Sequence, residues 1–326
     1  MKEIISKIKK SKRVAIIAHI SPDPDCVSSM TALSCILEQL GKQTKMFVDC
    51  DKFRPIFDYY NLPKDINAEL NKDEFDTIIA VDLPQLNLMG KYGKAFIEHN
   101  NVLVIDHHAS RNLQADVKYV DDTMSSCSEI IFDLAIKLGA KITPRIASLI
   151  YAGIIGDTNC FENDNTNEHT FYVALECLKY GAEKNKITFL FQKHQTYQEI
   201  KLKQLAYQNV VIKNKVAYVI LTKAMFKESG IDDLPCFVNE MLNTDDNIFS
   251  FLIKQKDKNT YTVSLRCKEG YNVAKIALVI GGGGHIQASG ATFVGAPKRT
   301  AKLIYDECLK QIKEQNVWKE CNNKFK

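Results

Sequence analysis

Short apolar runs alternate through the first half of the chain with stretches whose apolar residues recur every three or four positions. The first pattern is that of buried strands, the second that of amphipathic helices, and their alternation predicts an α/β sheet with helices on its faces. Val14–Ile20 reads as a buried strand, and Val27–Leu40 as a helix closed by Gly41, glycine being favoured just past a helix end. Lys45–Val48, Thr77–Val81 and Val102–Ile105 read as further short strands. Ser125 and Ser126 precede a helical pattern that runs to Leu138, and either can cap it. Thr143-Pro144 opens the next helix, with proline at its first position, and this helix leads into Gly153-Ile-Ile-Gly156-Asp157-Thr158. A further helix begins at Asn165 and ends near Tyr180-Gly181.

Residues 184–209 are polar, helix-permissive and free of Gly and Pro, which predicts a semi-rigid helical connector. Beyond it, strands are expected at Val216–Leu221, Ile248–Lys254, Tyr261–Arg266 and Ala291–Val294, with helices at Val273–Ile280 and, opened by Pro297, at Lys298–Lys313. The expected organisation is an N-terminal domain over 1–183 with a mainly parallel sheet flanked by helices, the connector over 184–209, and a smaller α/β domain over 210–326. A length of 326 residues suits two such cores.

Composition narrows the class. With 45% hydrophobic and 25% charged residues, the chain is ordinary globular material. No apolar run approaches the roughly 18 residues of a membrane span. The basic N-terminus, Met1 to Arg13, has Ile4, Ile5 and Ile8 at helical spacing, and the apolar stretch behind it is shorter than a signal-peptide core. Residues 1–12 are therefore expected to form a surface helix, and the location to be cytoplasmic. The ten cysteines are scattered from Cys26 to Cys321 without a C-x-x-C pair, which fits reduced, buried thiols better than disulfides or a zinc cluster. Residues 207–326 carry 18 Lys/Arg against 12 Asp/Glu, whereas the preceding part is slightly acidic. An acidic half joined to a basic half fits a small anionic substrate, and the excess is too mild for long duplex nucleic acid.

Three clusters carry the chemistry: His19-Ile-Ser-Pro-Asp23-Pro-Asp25, Asp106-His107-His108 and Asp157-Thr158. Asp23 and Asp25, one residue apart on a proline-constrained turn, repel one another unless a cation or a proton intervenes. His19, Asp82 and Asp106 all fall at or just beyond the C-terminal ends of predicted strands, the edge of an open α/β sheet where ligands collect. Carboxylate-rich sites with a few imidazoles suit paired Mn²⁺ or Mg²⁺ ions, and paired ions suit phosphoryl chemistry. A helix cap beside a surface turn would explain the first motif alone, but not its company. His99, His169 and His194 lack such company and are read as solvated. Gly281-Gly282-Gly283-Gly284-His285 can bring main-chain N–H groups close to a phosphate.

The series H-x-x-P-D-x-D, V-D, D-H-H, G-x-x-x-D-T in one half and G-G-G-G-H in the other resembles the DHH phosphoesterase superfamily with its DHH-associated (DHHA1) C-terminal domain. The similarity runs over roughly residues 14–295 and is strongest to the NrnA-like branch, nano-RNases that degrade very short oligonucleotides and often dephosphorylate 3′-phosphoadenosine 5′-phosphate (pAp). The resemblance implies two divalent ions, Mn²⁺ first, with Mg²⁺ or Co²⁺ as alternatives. It places His19, Asp23 and Asp82 on one ion and Asp25, Asp82, His107 and Asp157 on the other, with Asp82 bridging. Such a pair clamps a phosphate and acidifies a shared water. The resemblance further implies that His108 meets the phosphate or leaving oxygen and that Asp106 orients the imidazoles. Ser264-Leu265-Arg266 matches the family's S-L-R strand, so that Arg266, Gly282, Gly283, Gly284 and His285 are expected to receive the end of the substrate.

Several positions depart from the family pattern: Cys26-Val27-Ser28 after the first motif, Asn159 after Asp157-Thr158, Arg111 after D-H-H, and Ser125-Ser126-Cys127 for Ser-Ser-Thr. None removes an expected ligand. Arg111, Ser125 and Ser126 lie where substrate is expected to pass. The implied function is hydrolysis of short RNA and pAp, with no membrane partner and homodimerisation left open. Cyclic dinucleotides or linear pApA are the alternative substrates. Inorganic pyrophosphate and long single strands fit less well, the first because of the glycine loop, the second because of the weak basic surplus. A nucleotide-binding module without catalysis does not need a full ligand set.

Overall fold

The computed structural model describes residues 1–51, 55–108, 113–234 and 236–323. The chain divides into two compact units, Met1–His194 and Gln195–Lys326.

The first unit begins with α1 (Lys2–Lys10), β1 (Arg13–Ile17), α2 (Pro24–Gln39) and β2 (Gln43–Phe47). It continues through β3 (Thr77–Val81), α3 (Gly93–Glu98), β4 (Val102–Asp106) and β5 (Val117–Val120). Four helices follow: α4 (Cys127–Leu138), α5 (Pro144–Asp157), α6 (Glu168–Lys179) and α7 (Lys184–Thr188). The five strands form one sheet in the order β2-β1-β3-β4-β5, every pair parallel. The strand order reverses at β1, and an open α/β sheet has its ligand crevice at such a switch point, outside the carboxyl ends of the strands.

β3 and β4 are buried along their whole length, which explains their uninterrupted apolar sequence. Alternate residues serve two cores. Val14, Ile16, Ile79, Val81, Leu103 and Ile105 pack with residues of α2, α4 and α5; Ala15, Ile17, Ile78, Ala80 and Val104 pack with Met89, Tyr92 and Phe96.

Two expectations about this unit need correcting. β1 stops at Ile17 instead of continuing to Ile20, because past that point Ala18 and Ile20 bond to Phe47 and Leu88 outside any ladder, which leaves His19 on a loop. β5 was not expected at all: a four-residue edge strand with one exposed and three half-buried residues leaves too weak an alternation to read. The connector is also not one helix. After α7 the chain passes through a single wide turn over Phe189–Lys193, extends at His194 and starts a new helix, α8 (Tyr197–Tyr207). The capping box Thr196…Glu199 begins that new helix.

The second unit continues with β6 (Val211–Lys213), β7 (Val216–Leu221), α9 (Lys223–Ser229), α10 (Phe237–Leu242), β8 (Phe249–Gln255) and β9 (Thr260–Cys267). It ends with α11 (Val273–Val279), β10 (Gly283–Gly284), β11 (Ala288–Val294) and α12 (Pro297–Asn323). Its sheet runs β10-β11-β9-β8-β7-β6 and is antiparallel except for the β7–β8 pair. One face packs Phe249, Phe251, Val263 and Leu265 against α11 and α12; the other packs Val219 and Leu252 against α8, α9 and α10. No helix among the described residues is long and apolar enough to cross a membrane.

The glycine run is only partly a loop. Gly283 and Gly284 pair with Gly290 and Ser289 of β11. A Cβ at Gly282 would collide with the Gly290 carbonyl oxygen and the Ala291 Cβ, whereas one at Gly283 would meet nothing within 4 Å. Glycine at 282 is therefore required by close approach of two backbones. Gly282→Ala should destabilise the second unit by about 1–3 kcal/mol, the range for overpacking, while Gly283→Ala should leave its unfolding transition unchanged. Denaturant unfolding of both variants measures the contrast, and equal midpoints would refute it.

Candidate metal centre

The end of β1 releases the chain into the loop that carries His19 and Asp23. Asp23 caps α2: its Oδ1 accepts from the Cys26 main-chain N–H at 2.9 Å, and Pro24 fills the first helical position. Oδ2 remains and stands 3.6 Å from His19 Nε2. Asp25, one residue into the helix, is fully buried. It accepts the Cys127 and Ser128 main-chain N–H groups at 2.6 and 3.0 Å, the first-turn donors that α4 cannot satisfy internally. The close approach depends on α5. A Cβ at Gly153 would lie 2.5 Å from Asp25 Oδ1, and one at Gly156 would lie 2.6 Å from the Pro24 Cβ.

Asp82 follows β3 with a φ of +52°, a conformation that aspartate tolerates better than most residues. Its carboxylate is 1% exposed, and Oδ1 has no hydrogen-bond partner. Three imidazoles surround it: His19 Nε2 at 3.8 Å from Oδ2, and His107 Nε2 and His108 Nδ1 at 3.4 and 3.6 Å from Oδ1. His107 Nδ1 lies 3.2 Å from the Met124 carbonyl, so Nε2 faces inward, 3.1 Å from Asp157 Oδ2 at the end of α5. Asp106 Oδ1 accepts the His107 main-chain N–H at 2.9 Å and stands 2.7 Å from His108 Nδ1. That leaves His108, 42% exposed at its side chain, pinned at one nitrogen.

Crowding of negative charge shows in the acid–base properties. Burial, followed by the Asp82 charge, raises the Asp25 carboxyl to about 7. Burial and Asp25 raise Asp157 to about 9. Burial pulls the His107 imidazolium down, but the nearby Asp82 carboxylate and the charges of Asp25 and Asp157 outweigh it and lift it to about 10. Asp25 and Asp157 are thus biased towards their neutral forms and His107 towards its charged form, as expected of a cluster short of cations. Ligand atoms of His19, Cys26 and Asp82, of Asp82, His107 and His108, and of Asp25, His107 and Asp157 each gather within 4.8 Å. With the unpartnered oxygen of Asp82, this donor set fits divalent ions.

The remaining candidates lie differently. Ser125 and Ser126 are fully buried rather than open to a passing ligand: Ser125 Oγ donates to Glu129, and Ser126 Oγ caps α4 by accepting the Glu129 N–H at 3.3 Å. Arg111 lies outside the described residues. In the second unit, Arg266 is half-buried on β9 and donates to the Leu265 carbonyl at 2.9 Å. Burial lowers its guanidinium pKa. His285 is exposed beside β10, its N–H on the Ala288 carbonyl. Gly282, Gly283 and Gly284 adjoin it.

Two histidines read as solvated are engaged. His99 bonds through both ring nitrogens, at 3.1 Å each, to the main chain of Asn101 and Phe75. His169 Nδ1 stands 2.9 Å from Glu129, a fully buried carboxylate, and Nε2 stands 3.4 Å from Asp133. His194 is exposed, with its ring against Phe189. The Glu129–His169 pair escaped sequence reading because its partners are 40 residues apart. Asn165 and Asn167 join it, donating to the Ser125 and Thr123 carbonyls at 3.0 and 2.9 Å. Together these groups hold the segment that presents the Met124 carbonyl to His107.

Sheet, switch point and donor set define an α/β protein with a carboxylate–imidazole centre suited to divalent ions. The sequence profile described as the DHH family N-terminal domain matches residues 13–154, and that of the DHHA1 domain matches residues 214–314. A bifunctional oligoribonuclease and PAP phosphatase NrnA from Mycoplasma pneumoniae is 30% identical, over 95% of this chain and 96% of its own. The protein of that name from Thermus thermophilus is 25% identical, over 93% and 90%. The chain belongs to the DHH family, in the NrnA group that joins a DHH to a DHHA1 domain. A solved exopolyphosphatase-related protein from Bacteroides fragilis shares the fold, with a TM-score of 0.87, 22% identity and 96% coverage of both chains.

Ser126→Ala should cost about 1 kcal/mol of stability, as loss of an N-cap does, and leave KM for any substrate unchanged; a raised KM at unchanged stability would return Ser126 to the substrate path. Mn²⁺ should raise the melting temperature of the wild type, an ion at a hundred times its Kd contributing about 2.7 kcal/mol. Asp82→Asn should lose most of that rise, and an equal rise in both proteins would remove Asp82 from ion binding.

Proposed function

We propose that the protein is a two-metal phosphoesterase that hydrolyses very short oligoribonucleotides and pAp. The observation that carries this reading is the buried, unpartnered oxygen of Asp82 amid three imidazoles, in a chain related over nearly its whole length to proteins named as oligoribonuclease and PAP phosphatase. In this reading His19, Asp23 and Asp82 hold one ion, and Asp25, Asp82, His107 and Asp157 hold the other, with Mn²⁺ the leading candidate. Bound ions supply the charge that clamps a phosphate and the acidity that readies a water for attack.

The chain's own residues do the rest. Asp25 and Asp157 are carboxylates whose ionisation burial and neighbouring carboxylates (Asp82 for Asp25, Asp25 for Asp157) disfavour, so entering ions draw off their protons. The Met124 carbonyl fixes the His107 ring so that Nε2 faces Asp82 and Asp157. Asp106 anchors His108 through Nδ1 and leaves Nε2 to meet the phosphate or to give a proton to the leaving oxygen. Arg266, with Gly282–Gly284 and His285, receives the far end of the substrate, its planar fork suited to a phosphate. A small nucleotide substrate carries with it a cytoplasmic location.

The test is turnover by the purified protein with Mn²⁺, measured in parallel on a labelled RNA dinucleotide, a pentanucleotide, a long RNA, pAp, pApA and pyrophosphate. Rapid loss of the shortest RNA and of pAp, with the long RNA persisting, is the expected result. Cleavage of pyrophosphate alone, or of nothing, would overturn the reading. Arg266→Ala should raise KM roughly 10–100-fold, the equivalent of one charge-assisted hydrogen bond, with a much smaller change in kcat. An unchanged KM would take Arg266 out of the substrate site.

A further inference from the structure

Helix α6 (Glu168–Lys179) turns one face to the core of the first unit, where Val173, Ala174 and Cys177 are buried with Thr170 beside them. A surface helix gives its opposite face to charged and polar residues. On α6 that face is occupied by Phe171, Tyr172, Leu175 and Leu178, each between 41% and 55% exposed. At 3.6 residues per turn these four share one side of the helix with Glu168 and Lys179. Those two are the only other exposed residues of α6, one at each end. Phe161, from the loop after α5, stacks on Phe171 with ring centroids 5.2 Å apart and widens the apolar surface. Half-exposed side chains of this size leave on the order of 300–400 Å² of apolar surface. That is enough for the centre of an interface of about 800 Å² per partner.

The order of charges says what covers it. The outward face is acidic at its start, apolar in the middle and basic at its end. A two-fold axis across the middle of the helix, between residues 173 and 174, lays a second copy antiparallel on the first. Tyr172 then meets the partner's Leu175, and Glu168 meets the partner's Lys179, each contact made twice by symmetry. The partly positive start of each helix lies beside the partly negative end of the other. Lys179 also reaches Glu176 of its own helix at 2.7 Å, and its ammonium has further donors to give.

We propose that the outward face of α6 is the surface through which two copies of this chain associate, with their α6 helices antiparallel about a two-fold axis. The face carries none of the metal-centre donors, so the two readings stand or fall separately.

The experiment is sedimentation velocity of the full chain over a wide range of concentration. It compares wild type with Leu175→Glu, Glu168→Lys, Lys179→Glu and the double charge exchange. Wild type should sediment at twice the chain mass. Leu175→Glu should weaken association at least about 30-fold, as a change at an interface centre does, with an unaltered circular-dichroism spectrum because the side chain is half-exposed. Either single charge reversal should weaken it roughly 10-fold, two exposed ion pairs being turned into repulsions, and the double exchange should restore it. A wild type that stays monomeric at the highest attainable concentration would overturn the proposal and leave the face to another occupant. A dimer unaffected by Leu175→Glu would place the contact on another surface and equally overturn it. A double exchange no tighter than either single reversal would sink the antiparallel arrangement.

Discussion

Negative charge packed at one edge of the sheet, with two of its carboxylates cut off from water, is the constraint on which the first unit is built. Asp25 and Asp82 are buried, and Asp23 and Asp157 stand close by. In an aqueous loop such a group would be unremarkable; at this depth, each carboxylate raises the cost of ionising the next. The protein meets part of that cost locally. The first-turn amides of α4 hold Asp25, the N-cap bond holds Asp23, and imidazoles face Asp82. What remains unmet is the demand for positive charge, and divalent ions answer it most directly.

The surrounding fold serves this arrangement. Parallel strands buried on both faces make a rigid platform, and their carboxyl ends deliver His19, Asp82 and Asp106 to one side of it. Glycines on α5 let that helix pass close enough to Pro24 and Asp25 for Asp157, at its end, to face His107. Behind the imidazoles, Asp106 fixes His108 and the Met124 carbonyl fixes His107. The buried Glu129–His169 pair, with Asn165 and Asn167, secures the segment carrying that carbonyl. A metal site depends on such supporting bonds nearly as much as on its ligands.

The second unit rests on different physics. Its sheet is mostly antiparallel and its two faces are covered by α11 and α12 on one side and by α8, α9 and α10 on the other. The glycines of 281–284 belong to that construction as much as to any ligand, since Gly282 passes against the backbone of β11. Arg266 on β9 is half-buried, with its guanidinium bonded to its own strand. A substrate phosphate would compete for that guanidinium with a neutral carbonyl, a contest a charged partner wins.

How much was legible beforehand follows from the range of each interaction. Period and punctuation are local, so β3, β4 and the helix opened by Pro144 could be read directly, and the D-x-D, D-H-H and D-T clusters stood out by their chemistry; α2 was legible from Val27 on, but its first turn, Pro24–Cys26, read as a turn. The gathering of His19, Asp82 and Asp106 could be anticipated because strand ends of a parallel sheet share an edge, whereas Asp157, at the end of α5, was placed with His107 by the family resemblance. Short or irregular elements, such as β5, β6 and the break at His194, carry too few residues for a period to emerge. Tertiary structure alone decided that Ser125 and Ser126 turn inward and that His169 meets a buried glutamate. Each of those depends on a partner from another element, and a linear pattern does not encode which groups meet across a core, because that is settled by packing geometry and by the cost of leaving a buried polar group unpaired.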